Sequence, residues 1–207
     1  MSGFSIGLAI HTSSNDLGLA ISQPDGPERI QTWELGRGLS THFHAKLSEF
    51  IAAETLATLQ FIAVAQGPGS FTSTRLGITV ARTLAQQLNL PLFGISSLGA
   101  IAAAHFSAPD DSQKMLPLAI TLPAQRGEVH VGIYADPYDL SAHTTDRVLS
   151  AEVWAIESQN YRIQPAPEAQ SSFVLQVLTI SQRAYEKGER PQWWQVSPSY
   201  GQHPVTV

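Results

Sequence analysis

The stretch Gln66-Gly-Pro-Gly-Ser-Phe-Thr-Ser-Thr-Arg75 constrains this chain more than any other. A short apolar run, Leu59-Gln-Phe-Ile-Ala-Val-Ala65, precedes it and reads as a buried strand. Residues 72–88 follow, with small or apolar side chains at Leu76, Gly77, Val80, Ala81, Leu84, Ala85 and Leu88, the spacing of one helix face. The stretch therefore joins the carboxyl end of a strand to the amino end of a helix, where open α/β sheets hold their ligands. Gly67 and Gly69 permit a tight turn and a close approach, Pro68 stiffens it, and Ser70 and Thr72 are N-cap candidates. Neither common phosphate loop is present. No Gly-Lys-Ser/Thr closes the stretch, and Thr72 stands where the dinucleotide fingerprint has its third glycine. On local grounds a tight, ordinarily capped strand–helix turn accounts for it as well as a ligand loop does.

The rest of the chain supplies a scaffold for that loop. Residues 5–11 and 17–23 read as a β-hairpin around the turn residues Thr12-Ser-Ser-Asn-Asp16, and residues 29–35 as a third, more exposed strand. Residues 39–59 have helical spacing (Phe43, Leu47, Phe50, Ile51). After the loop and its helix come a short strand at 91–95 and an alanine-rich helix at 98–105, with Ser96 or Ser97 as its cap. Residues 115–122 and 128–134 form a second strand pair. Residues 107–113 and 136–147 read as loops, 151–158 as a short helix and 164–170 as a linker. The last helix, 171–187, is stopped by Gly188, and residues 191–207 form an irregular aromatic tail. The expected division is an N-terminal lobe at 1–106 and a smaller C-terminal lobe at 107–207.

Composition narrows the function. The chain of 207 residues has no cysteine, which excludes disulfides, thiolate zinc sites and a Cys nucleophile. No window holds the roughly 20 apolar residues of a membrane span, and the start lacks a signal-peptide pattern, so the expected location is cytoplasmic. The net charge is −5 with three lysines, Lys46, Lys114 and Lys187, and no basic stripe for gripping nucleic acid directly. Among the seven histidines, His42 and His44 are two apart and diverge on a helix, and no His-Glu-x-x-His occurs; no metal site is expected. Without a Gly-x-Ser-x-Gly elbow, Ser70 and Thr72 are read as capping residues, not nucleophiles. Glu128, Asp136 and Asp139 read as solvated acids at strand ends and turns.

Several motifs together resemble the bacterial TsaB (YeaZ) family. They are Leu8-Ala-Ile-His-Thr-Ser13, Gln66-Gly-Pro-Gly-Ser-Phe-Thr-Ser-Thr-Arg-Leu-Gly77, Pro91-Leu-Phe-Gly-Ile-Ser-Ser-Leu98, Arg126-Gly-Glu-Val129 and Val196-Ser-Pro-Ser-Tyr200. The resemblance implies an α/β fold of the actin/Hsp70-like ATPase (ribonuclease H-like) type, in two lobes with the second reduced. It implies a non-catalytic role in making N6-threonylcarbamoyladenosine in tRNA, beside a TsaD-type transferase and a TsaE-type ATPase, with tRNA met only through the complex. It also implies pairing of the first two helices with those of a partner. The interface candidates are then Phe43, Leu47, Phe50, Arg75, Gly77, Ala81, Arg82 and Ala85. A homodimer through the same helices is a further expectation.

Departures from the family pattern bear on nucleotide binding. His11 replaces the aspartate that ends the first strand, Pro123 and Gln125 replace the Asp and Arg of an Asp-Ala-Arg, and Ser73-Thr74 replaces Gly-Leu. Histidine is a poor ligand for magnesium, which prefers oxygen. The expectation is no cofactor bound by the chain alone, with Gly67, Gly69, Ser70 and Thr72 as loop candidates for a nucleotide at the joint with the partner. The alternative is a small-molecule kinase or nucleotide hydrolase of the same fold. A glycoprotease-like hydrolase lacks metal ligands.

Overall fold

The computed structural model describes residues 5–23, 26–106, 116–135 and 146–199. Two sheets organise it. The first comprises β1 (Gly7–His11), β2 (Leu17–Ile21), β3 (Arg29–Trp33), β4 (Phe61–Ala65) and β5 (Leu92–Ile95), ordered β3-β2-β1-β4-β5. The hairpin is antiparallel, with Leu8 opposite Ile21 and His11 opposite Gly18, whereas β4 and β5 run parallel to β1. The parallel partners return through α1 (Leu39–Phe50), α2 (Ala53–Leu56) and α3 (Phe71–Leu88).

β1, β2 and β4 are buried along their whole length because helices cover both faces, so their sequences are continuously apolar. Alternation still sorts the side chains. Leu8, Ile10, Leu17, Leu19, Ile62 and Val64 face α1 and α3. Ala9, Ala20, Phe61, Ala63 and Ala65 face α4 (Ser97–Phe106) and α6 (Val174–Glu186). Small alanines on this second face let α6 come close. Gly18 does the same for the preceding turn, since a Cβ there would meet the Ser171 carbonyl oxygen at 2.2 Å.

The second sheet is ordered β8-β7-β6-β9, from β6 (Leu118–Pro123), β7 (Val129–Tyr134), β8 (Arg147–Leu149) and β9 (Arg162–Pro165). α4 lies between the sheets: Ala100 and Ala103 pack toward the first, Leu98, Ile101 and Ala102 toward β6 and Tyr134. A helix covered on both sides is apolar all round, hence its alanines. α5 (Ala151–Glu157) is capped by Ser150, whose hydroxyl accepts from the Val153 amide. The first sheet ends at Ile95 and the second begins at Leu118, and α6 crosses back to cover the first.

Three sequence expectations are corrected. The helix expected over 39–59 breaks at Ile51, which turns extended (φ −133°, ψ 126°) and drops its side chain into the core beside Phe50. β8 begins at the last residue of an expected loop and fills residues for which no element was expected, and β9 overlaps the start of the expected linker, with Pro165 last on an edge strand, where proline costs least. Residues 107–115, 136–145 and 200–207, with their expected loops and Tyr200, lie outside the described residues. No helix among the described residues is long and apolar enough to cross a membrane.

Candidate functional site

The loop at 66–70 lies against the β1–β2 turn, and the two are hydrogen-bonded directly to each other. The Ser70 amide donates to the Ser13 carbonyl at 2.6 Å. The Thr12 hydroxyl donates to the Ser73 carbonyl at 2.7 Å, and Ser97 Oγ donates to Ser13 Oγ at 2.8 Å. The Ser97 amide donates to the Gly67 carbonyl at 2.8 Å. Two glycines make this closeness possible. A Cβ on Gly69 would meet the Ser13 carbonyl oxygen at 2.1 Å, and one on Gly77 would meet Thr12 Oγ1 at 2.2 Å. Gly67 has φ +98°, which favours glycine, and its peptide bond to Pro68 is cis.

Anions are held at helix N-termini by free amides. Here the Ser70 amide, before α3, and the Ser97 amide, opening α4, already donate to carbonyls of the chain. His11, Thr12 and Ser13 are buried at the same place. Burial alone pushes the His11 pKa down to about 3, so its ring is neutral at pH 7. Nδ1 accepts from the Ser13 amide at 3.3 Å, which leaves the proton on Nε2, where it has no partner among the described residues. A neutral imidazole offers neither the charge nor the oxygen that a hard cation needs. Pro123 and Gln125 lie at the distal β6–β7 turn.

The interface candidates separate by burial. Phe43, Leu47 and Phe50 are buried in the core under α1, and Gly77, Ala81 and Ala85 are buried in the packing of α3 on β1 and β4. The small-residue ridge therefore faces inward. It brings α3 onto the sheet and is not a surface groove. Arg75 is exposed and Arg82 half-buried; their guanidinium carbons lie 3.8 Å from the Phe71 ring centre and 5.5 Å from that of Trp193. Ser70 holds the N-cap position but makes no capping bond. Its hydroxyl donates to Ser73 Oγ at 3.0 Å, and Ser73 in turn donates to Asn15 Oδ1 at 3.2 Å, tying the loop to the turn once more. Thr72 sits exposed within the first turn of α3.

One buried polar cluster lies beyond the reach of sequence reading. Ser96 Oγ donates to Asp146 Oδ2 at 2.6 Å, and the Tyr134 hydroxyl donates to Asp146 Oδ1 at 2.9 Å. Ser96 also caps α4, accepting from the Leu98 and Gly99 amides. A Cβ on Gly132 would meet the Tyr134 hydroxyl at 2.4 Å and Asp146 Oδ1 at 2.7 Å, so that glycine makes the room. Desolvation outweighs the two donors and raises the Asp146 pKa to about 6; burial likewise raises Tyr134. The cluster bolts β5 and α4 to β7 and β8. Only the capping role of Ser96 carried a sequence signal.

The strand order, the two covered faces and the loop at the end of β4 define a two-sheet α/β protein with its two facing loops interlocked. Comparison with known proteins agrees. YeaZ from Pseudomonas aeruginosa superposes with a TM-score of 0.71 at 20% identity, covering 95% of this chain and all of that one. A second P. aeruginosa structure, described as similar to peptidase YeaZ, gives 0.74 at 21%, covering 96% and 100%. A family model described as TsaD, tRNA N6-adenosine threonylcarbamoyltransferase, matches residues 47–184. The chain is 34% identical over 133 residues to the tRNA threonylcarbamoyladenosine biosynthesis protein TsaB of Bacillus subtilis, covering 61% of this chain and 54% of that protein. It is 34% identical over 80 residues to the TsaB of Buchnera aphidicola, covering 39% and 36%. The chain belongs to the family that the TsaD model describes, and the curated relatives it resembles are TsaB proteins. The matches span about half the length, or less, of those curated relatives.

Proposed function

We propose that the chain is a non-catalytic subunit in N6-threonylcarbamoyladenosine modification of tRNA, working in the cytoplasm by assembly with a TsaD-type transferase and a TsaE-type ATPase. The observation that carries this reading is the interlock of the two loops. Amides that would cradle a phosphate are spent on Ser13 and Gly67, and the strand end that would hold a metal through an acid carries the buried, neutral His11. The naming of both TsaB relatives as tRNA threonylcarbamoyladenosine biosynthesis proteins supports the pathway. In this reading the outward side of α3, with Arg75 and Arg82, meets the transferase. Gly67, Gly69, Ser70 and Thr72 face the joint, where any nucleotide is held mainly by the partner, and tRNA is reached through the complex.

Reconstitution tests it. The transferase, the ATPase, tRNA and a threonylcarbamoyl donor are combined with and without the chain, and modified adenosine is measured by nucleoside mass spectrometry. Modification that depends on the chain is expected, with no ATP turnover by the chain alone. Turnover by the chain alone that Thr12→Ala or Ser70→Ala abolishes would establish the kinase or hydrolase alternative instead.

A further inference from the structure

The tail after α6 is pinned along its length. The Pro191 carbonyl accepts from the Leu92 amide at 3.2 Å on the edge strand β5. Gln192 and Gln195 cap the 3-10 turn Trp193–Gln195 reciprocally. Val196 is buried in the core, its methyl over Gly94, and the Ser199 amide donates to the Gln66 carbonyl at 2.7 Å. Between these anchors Trp193 packs against the core and carries the Arg82 guanidinium over its ring, while Trp194 stands edge-on to it, ring centres 5.4 Å apart.

Trp194 is nevertheless 57% exposed; with Phe71 (54%), it is one of two large aromatic side chains left open among the described residues. Phe71 starts α3, Arg75 is one turn on, and Arg82 is seven further on the same side. A stripe of aromatic rings and guanidinium groups thus runs along α3 onto the tail. An exposed tryptophan on a backbone anchored on both sides, one ring removed from an arginine, is the composition of a binding hot spot, with little backbone ordering left on association.

Charge selects the occupant. The chain carries −5 overall, yet α3 holds two arginines and no acid, and residues 190–199 add Arg190 and no acid. A second copy docking through the same face would offer these arginines no acid, since neither α3 nor residues 190–199 carry one. An RNA backbone gripped without sequence preference needs more cations than this stripe supplies. We propose that the pinned tail, with Trp194 at its centre and Arg82 beside it, anchors a carboxylate-bearing face of the transferase partner next to α3. This rests on the assembly reading above and names the chemistry of the partner surface.

The test is calorimetric titration of the TsaD-type transferase into wild type, Trp194→Ser and Arg82→Glu, at about 50 and about 300 mM salt. Melting by circular dichroism checks that each variant folds. Trp194→Ser is expected to weaken binding by about tenfold or more at both salts with an unchanged melting temperature. Arg82→Glu is expected to weaken it more at low salt than at high. Should Arg82→Glu melt early, Trp194→Ser decides alone. Wild-type binding with both variants within about twofold overturns the anchor and leaves the assembly reading intact. A wild type that does not bind at all removes both. Two further results overturn it: light scattering that shows a homodimer dispersed by Trp194→Ser, or tRNA retention by the chain alone that Trp194→Ser abolishes.

Discussion

Gly77 and Thr12 offer a direct test of the interlock. A Cβ on Gly77 would lie 2.2 Å from Thr12 Oγ1, and Thr12 Oγ1 is engaged with the Ser73 carbonyl at 2.7 Å in a buried site. Gly77→Ala must therefore lift α3 off β1 or rotate Thr12 out of its bond. Overpacking of this kind costs about 1–3 kcal/mol. Giving up the buried hydrogen bond costs about 1–3 kcal/mol. Alanine in a helix interior returns about 1 kcal/mol relative to glycine. Whichever strain is smaller, the net loss is about 0–2 kcal/mol. In a Thr12→Ala background the obstructing oxygen is gone and the nearest remaining side-chain atom, Cβ of residue 12, is 3.3 Å away. There Gly77→Ala should keep most of its helix gain of about 1 kcal/mol. Urea unfolding of the four proteins closes a double-mutant cycle, with an expected coupling of about 1–3 kcal/mol in favour of the double variant. Additive effects, within about 0.5 kcal/mol, would refute the contact between α3 and the turn.

Three further outcomes follow from the same geometry. His11 is unprotonated in the fold down to about pH 3 but takes up a proton near 6.5 when unfolded, so its contribution is complete above 6.5 and is lost as pH falls toward 3. Asp146 has the opposite slope, since a folded pKa of about 6 against an ordinary 3.8 makes the fold gain stability as pH falls from 6 to 3.8. The two partly cancel in wild type, so the comparison is with variants. Relative to wild type, His11→Gln should gain stability by up to about 1.4 kcal/mol per unit as pH falls below 6.5, and Asp146→Asn should lose it below 6; chemical denaturation at pH 7, 5.5 and 4.5 reads both. Gly18→Ala drives a Cβ into the Ser171 backbone carbonyl, where no side chain can yield, and should cost about 3 kcal/mol, a melting shift of about 6–12 °C by calorimetry.

The first sheet was legible because each of its elements carries its own local signal. The turn Thr12–Asp16, the apolar runs and the glycines of the loop need no knowledge of distant residues. β8 was not, since three residues paired only to β7 leave no periodicity to read, and the prolines that punctuate β9 look like linker. The break at Ile51 obeys tertiary demand, because helical spacing continues through it and only the core beneath asks for an extended residue. Gly77, Ala81 and Ala85 were found as a ridge, but spacing alone does not say whether a ridge faces a sheet or a partner. The Ser96–Tyr134–Asp146 cluster joins positions up to 50 apart, so no window could contain it. Interlocking of the loops was foreshadowed only by His11 and by glycines at 69 and 77, whose neighbours the fold alone brings near.

The central claim is that this molecule acts by joining a partner and not by turning over nucleotide. Light scattering of the chain mixed with the TsaD-type transferase at tens of micromolar tests it most directly. One species with the summed mass of both proteins is the predicted result; two species at their separate masses would contradict the account.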